Sequence, residues 1–146
     1  MFNLFNKNKS PNHLQEFAND FTKEQKAVIL ASQMIISKVH GKIHFKEEKC
    51  IENTAKILNF SLNSPALETA MNSKFAYHIE QLKSLSYSQL EWYAISLYEL
   101  IMCTGNVDDT KISYMVNLLE KVGINENKLA AIIDKYQQLM KQYYPR

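Results

Sequence analysis

Glycine, proline and arginine are all scarce in this chain of 146 residues. Glycine and proline occur three times each. Because β-rich folds need many turns, and turns use these two residue types, their scarcity favours long helices. Arg146 is the only arginine. Guanine and phosphate are commonly recognised by bidentate arginine contacts, so the composition argues against a specific nucleic-acid binder.

Cysteine is also rare, and no CxxC motif occurs. Cys50 and Cys103 are the only two cysteines, which excludes a disulfide framework or a zinc knuckle. We expect both to lie on helix faces as small buried hydrophobic residues.

Long apolar runs are missing as well. No run approaches the roughly 18 residues of a membrane span, and the N-terminus has no signal-peptide core. We therefore expect a cytoplasmic protein without a transmembrane segment. Residues 1–9 have two interpretations: a flexible tail, or a weak membrane-surface contact through Phe2, Leu4 and Phe5 beside two lysines. Terminal position and composition favour the tail.

The remaining residues, 10–146, have the composition of one globular domain, since 46% of the whole chain is apolar and 22% is charged. Ser10 and Pro11 suit the start of a first helix. Apolar residues then recur at helical spacing, and no segment alternates as a strand would. The sequence therefore predicts an all-α, single-domain helical bundle of about seven helices.

Two segments of the chain share one pattern. Thr22 to Gln25 and Ser86 to Gln89 both fit the capping box of a helix start. Gly41 and Gly105 both follow as helix stops, and we expect each to be the C′ residue of its helix. Residues 22–61 align without gaps on residues 86–125, which predicts two pseudo-symmetric repeats. Each would comprise a long buried helix, a glycine turn with an inward Ile43 or Val107, and a second helix.

The sequences of the two turns resemble the repeat pattern of a known protein family. The first reads "VHGKIHFKE", from Val39 to Glu47, and leads to "ILNFS". The second reads "CTGNVDDTK", from Cys103 to Lys111, and leads to "VGIN". Over roughly residues 22–136 the chain resembles the tellurite-resistance TerB-like family, whose repeats carry a pattern close to A-D-G-x-[IV]-[DS]-x-x-E.

The resemblance implies an all-helical domain of two repeats, associated with resistance to tellurite and other chemical stress. The family's acidic turn residues have been interpreted as a metal site, and its members are not established enzymes. This chain departs from the pattern in those residues. The family's aspartate is His40 in the first copy and Thr104 in the second. Its glutamate is kept as Glu47 and replaced by Lys111.

The first turn and its surroundings are rich in metal-binding residue types. A divalent-metal site would use four residues: His40, His44, Glu47 and Asp108. The alternative is an ordinary turn with both imidazoles in water. It is favoured because Gly41 breaks the continuous helix that paired histidines need. Asp108 and Asp109 have a similar pair of interpretations, as calcium ligands or as the N-cap of the following helix, and the cap is favoured.

Apart from these turns, the sequence contains no known catalytic or nucleotide-binding motif. No GxSxG, P-loop or GxGxxG sequence occurs, so we expect no enzyme, no catalytic residue and no resident cofactor. Trp92, Tyr93 and Tyr98 are interpreted as core rather than a ligand pocket, because of their helical spacing. The favoured function is a non-enzymatic protein-interaction module with a protein partner, and the alternative is a divalent-metal-binding module.

Overall fold

The structure, a computed structural model, describes residues 12–143, with side chains described from residue 16. It contains eight helices and no strand in this range, so the all-α prediction is confirmed, with eight helices rather than about seven. The helices are α1 Asn12–Asn19, α2 Lys23–Ser37, α3 Phe45–Ile57, α4 Pro65–Met71, α5 Phe75–Lys83, α6 Tyr87–Met102, α7 Asp109–Lys121 and α8 Glu126–Tyr143.

Both predicted capping boxes are confirmed. The hydroxyl of Thr22 accepts from the backbone N–H of Gln25 at 3.0 Å, and the Gln25 side chain accepts from Thr22 N–H at 2.8 Å. Ser86 and Gln89 make the same two bonds at 3.2 and 2.9 Å. Each box satisfies two of the N–H groups that a helix start leaves without partners. The predicted Ser10 and Pro11 helix start lies outside the described residues.

The predicted helix stops need one correction. α2 ends at Ser37 with Lys38 as its C-cap, so Gly41 is not the C′ residue. Gly41 has a φ of 97° and closes a separate turn, in which its N–H donates to the carbonyl of Lys38 at 2.8 Å. A glycine after a helix is compatible with either position, because both need positive φ. α6 likewise ends before Gly105, with Cys103 as its C-cap.

The two long helices α2 and α6 form the centre of the molecule. α2 packs against α3, α4, α5, α6 and α7, and α6 also packs against α3, α7 and α8. Trp92 and Tyr93 are 5% and 0% exposed, so their assignment to the core is confirmed. Phe17 and Phe21 contact Trp92 edge-on, with ring centroids 5.2 and 5.6 Å away. These contacts anchor the N-terminal helix to the core.

Polar contacts also join α2 to α6 inside the core. The hydroxyls of Ser32 and Tyr93 lie 2.5 Å apart, and the Gln33 amide donates to Ser96 at 3.2 Å. Burial raises the pKa of the Tyr93 phenol well above its usual range, so it stays neutral and keeps this contact. Such buried bonds fix the relative register of two helices, because a shift would leave polar groups without partners.

Three of the four helix bounds agree between the two predicted repeats, and the ends of α2 and α6 differ by one position. α3 and α7 begin at Phe45 and Asp109 and end at Ile57 and Lys121, at one constant offset. α2 and α6 begin with the same offset. The spatial pseudo-symmetry itself stays a prediction. The predicted inward residue is wrong for the second turn, because Val107 is 60% exposed whereas Ile43 is half-buried. None of the eight described helices is long and apolar enough to cross a membrane.

Candidate functional site: two converging turns and an apolar groove

The first turn, residues 38–44, and the second turn, residues 103–108, approach each other. The Nε2 atom of His40 lies 2.6 Å from Oδ2 of Asp108. Asp108 is the N-cap of α7, and its Oδ1 accepts from the backbone N–H of Lys111 at 3.0 Å. The predicted cap is therefore confirmed. The Lys111 N–H and, to a lesser extent, His40 hold the pKa of Asp108 below its usual 3.8.

Glu47 is a buried carboxylate where α3, in the first predicted unit (α2 with α3), meets α7, in the second (α6 with α7). It is 1% exposed. Its Oε1 accepts from the backbone N–H of His44 at 3.0 Å, which completes the capping box of α3. Its Oε2 accepts from the Lys111 ammonium at 2.8 Å. Burial of a carboxylate requires a partner cation, and here Lys111 is that cation.

His44 has a structural role at the start of α3. As the N-cap it accepts a hydrogen bond at Nδ1 from the backbone N–H of Lys46, at 3.1 Å. Its ring stacks on Phe45 with centroids 4.8 Å apart. Since an aspartate or serine is the usual N-cap, this use of a histidine could not be predicted from the sequence.

The structure thus brings together some of the predicted metal ligands. His40 meets Asp108, whereas Glu47 meets Lys111 and His44 caps its own helix. Among the described side chains, no group of three or more His, Cys, Asp or Glu residues could hold a metal ion. The four-residue metal site stays a prediction. Sequence reasoning missed the pairing of Glu47 with Lys111, although the two occupy equivalent positions of the predicted repeats.

An apolar groove opens between α6, α7 and α8. Its volume is about 290 Å³. The floor and walls are apolar: Ile101, Ile112, Met115, Val116, Leu129 and Ile133. At the mouth stand Tyr98, Met102, Ala130 and one charged group, Glu126. We call this surface the α6–α8 groove.

The groove exists because apolar positions on three helices face one another without filling the space between them. Tyr98 is half-buried at its edge rather than in the core, which corrects that part of the aromatic prediction. Its hydroxyl accepts from the Gln137 side chain at 3.0 Å, which holds the ring in place. Met102 is 36% exposed. Exposed apolar residues gathered at one surface are typical of binding sites.

The chain has two cysteines, one in α3 and one at the end of α6. Cys50, on α3, and Cys103, the C-cap of α6, are both half-buried, so the expected full burial is wrong. Burial is the main cause that raises the pKa of both thiols, that of Cys103 to about 12. Neither thiol therefore has the lowered pKa of an activated nucleophile.

No family model, curated protein or solved structure matches this chain. The likeness to the TerB-like family accordingly rests on the two turn motifs and on the helix pattern around them.

Proposed function

We propose that this protein is a non-enzymatic helical interaction module of TerB-like type, which binds an amphipathic helix of a partner protein in the α6–α8 groove. The groove is the observation that carries the proposal. An amphipathic helix presents apolar side chains at i, i+3, i+4 and i+7, and such a row suits an apolar groove between helices.

The size and lining of the groove support a protein side chain as its occupant. About 290 Å³ is just below the range of pockets for small ligands, which is roughly 300–1,000 Å³. Met102 and Met115 provide flexible, polarisable contacts that adapt to different apolar groups. Glu126, at the mouth, would select a lysine or arginine beside the apolar residues of the partner helix.

The cellular setting of the proposal follows from the resemblance and the composition. TerB-like proteins are associated with tellurite and other chemical stress, so we place the module in a cytoplasmic stress response. Its mechanism would be that of a scaffold. α2 and α6 form a rigid core, and the second unit presents the groove.

The test uses peptides, because the proposal specifies the partner's chemistry. A displayed library of amphipathic helical peptides is selected on the protein, and enriched peptides are titrated by fluorescence anisotropy. Ala130→Arg fills the mouth of the groove and should weaken binding at least tenfold. Ala131→Arg is the matched control, because Ala131 is exposed on the same helix but does not line the groove.

Binding that is equal for the Ala130→Arg and Ala131→Arg variants would place the peptide elsewhere and refute the groove. Failure to enrich any helical peptide would refute the proposed partner chemistry. Circular dichroism of both variants should match that of the unsubstituted protein, since each change adds a side chain at an exposed position.

A second candidate function, divalent-metal binding at the two turns, is favoured by one observation, the contact between His40 and Asp108 at 2.6 Å. Its test is calorimetric titration of Zn²⁺ and Ca²⁺ into chelator-treated protein. Micromolar or tighter binding that is lost in the His40→Ala/His44→Ala variant would support a metal module. No heat of binding would leave the interaction module as the function.

A further inference from the structure

Two exposed apolar side chains stand at the two turns. Phe45 is 61% exposed and Val107 is 60% exposed, the highest values among the large apolar side chains that the structure describes. Phe45 is the first residue of α3, directly after the first turn, and Val107 belongs to the second turn. Contact with water is unfavourable for apolar surface. Two such side chains at neighbouring turns therefore indicate an interaction surface.

Two contacts hold these apolar side chains at one end of the molecule. His40 of the first turn contacts Asp108 of the second at 2.6 Å. The Lys111 ammonium donates to the Glu47 carboxylate at 2.8 Å. Glu47 and Lys111 are each the third residue of their helix, α3 and α7. The first turns of the two helices therefore lie side by side, and both apolar residues are at these helix starts.

Both turns face open solvent. No atom of the described residues lies within 4 Å of a Cβ placed on Gly41 or on Gly105. The side chain of His40 is 56% exposed. The two apolar side chains beside these turns therefore protrude into solvent.

Lysines lie close to the apolar pair along the chain. Residues 38–49 contain four exposed lysines: Lys38, Lys42, Lys46 and Lys49. Residues 38–49 and 103–111 together contain four carboxylates, one of which, Glu47, is neutralised by Lys111. The others are Glu48, Asp108 and Asp109. The exposed lysines outnumber these three, so this end of the molecule carries a positive excess.

We propose that this end of the molecule binds the surface of a bilayer of anionic phospholipids. Phe45 and Val107 enter the headgroup region, and Lys42 and Lys46 contact the lipid phosphates. We call these four residues the turn surface. The proposal does not depend on the α6–α8 groove, because none of the four lines the groove.

A bilayer fits the turn surface better than an acidic protein does. A rigid protein would need a pocket for each protruding side chain, whereas the headgroup region deforms around both. Apolar side chains beside lysines are typical of elements that lie in the interface of an anionic bilayer. Each lysine adds a modest attraction, which salt weakens. The contact should therefore be reversible and sensitive to ionic strength.

The test is sedimentation of the full chain with vesicles over a range of lipid concentrations. One set of vesicles is phosphatidylcholine, and the other contains equal parts of phosphatidylcholine and phosphatidylglycerol. We expect binding to the anionic vesicles to be about tenfold tighter or more in about 0.1 M salt. Most of this binding should be lost in about 1 M salt, because the lysine attraction is screened.

The apolar contribution is tested with two phenylalanines in equivalent positions. Phe45 and Phe75 are both exposed, and each is the first residue of its helix, α3 and α5. Phe45→Ser should weaken binding to anionic vesicles roughly fivefold or more, and Val107→Ser should act in the same direction. Phe75→Ser, the matched control, should leave binding unchanged. Circular dichroism should be the same for all three variants, because each change is at an exposed position.

The lysine contribution has a control of equal charge. Lys42→Gln/Lys46→Gln should weaken binding to anionic vesicles about tenfold or more. Lys74→Gln/Lys83→Gln removes the same charge at exposed positions around α5. We expect it to have a much smaller effect, since these lysines are outside the turn surface.

Three outcomes would overturn the proposal. The first is equal binding, or no binding, to anionic and neutral vesicles. The second is an equal effect of Phe45→Ser and Phe75→Ser, which would place the membrane contact elsewhere. The third is binding to soluble polyglutamate that is as tight as binding to anionic vesicles and unchanged in Phe45→Ser. That result would identify a purely electrostatic contact with an acidic polymer.

Discussion

The two predicted units, α2 with α3 and α6 with α7, share their helix starts but differ in the residues at equivalent positions. The clearest difference is Glu47 in the first unit and Lys111 in the second, which form an ion pair with each other. Two glutamates at these two positions would repel each other, so one acid and one base stabilise the contact. The spatial pseudo-symmetry of the two repeats stays a prediction.

The starts of α3 and α7 also have different residues at equivalent positions. His44 caps one and Asp108 caps the other. A cap needs only an acceptor atom at the right place, so the geometry persists while the chemistry changes. The two helix starts therefore share one geometry although a histidine caps α3 and an aspartate caps α7.

The largest effect that would test this comparison is expected at Lys111. Lys111→Met leaves Glu47 buried without a cation. Removing one partner of a buried ion pair costs about 3–5 kcal/mol. Glu47 and Lys111 side chains are 2% and 12% exposed, so solvent screens the pair little. Urea denaturation should give a correspondingly lower free energy of unfolding.

The control is the double variant Glu47→Gln/Lys111→Met. Glutamine still accepts from the backbone N–H of His44, so the capping box of α3 is retained. We expect it to regain most of the lost stability, because no charge remains buried. A single Lys111→Met variant that is as stable as wild type would show that the junction does not depend on the ion pair.

A smaller effect on stability is expected for alanine substitutions at the residues that follow α3 and α7. Asn59 and Gly123 follow these helices with φ of 51° and 103°. No atom lies within 4 Å of a Cβ placed on Gly123, so Gly123→Ala is opposed by backbone conformation alone, at about 1–2 kcal/mol. Asn59→Ala should cost less, since 51° is within the left-handed region that Asn already tolerates. Equal losses in thermal unfolding would contradict this difference.

The sequence predicted features that depend on neighbouring residues. Both capping boxes, the N-cap Asp108 and the all-α class follow from local hydrogen bonds and helical spacing, and all are confirmed. The prediction of Gly41 as the C′ residue is wrong, because positive φ suits a turn as well as a C′ residue.

Features that depend on packing could not be predicted from the sequence. The Glu47–Lys111 pair joins residues 64 positions apart, and no local pattern specifies such a contact. Val107 was expected to point inward like Ile43, but burial depends on which helices surround a turn. The α6–α8 groove likewise depends on how closely three amphipathic helices approach, which periodicity does not determine.

The smallest effect on stability is expected at Asp108 in the second turn. The equivalent residue of the first turn is His44, which is not a carboxylate. The pKa of Asp108 is lowered by the Lys111 N–H and then by His40. A carboxyl with a lower pKa in the folded state adds stability above its unfolded pKa and loses it as the pH falls through the folded value. The stability difference between wild type and Asp108→Asn should therefore be present above pH 3.8 and shrink below it.

Carboxyl NMR titration separates the two causes. His40→Ala should raise the Asp108 pKa only part of the way to 3.8, because the Lys111 N–H has the larger effect and remains in place. A full return to 3.8 would mean that the contact between the turns, rather than the helix cap, holds the carboxylate in its charged form. The second turn would then depend on the first, and the two units would not be locally independent.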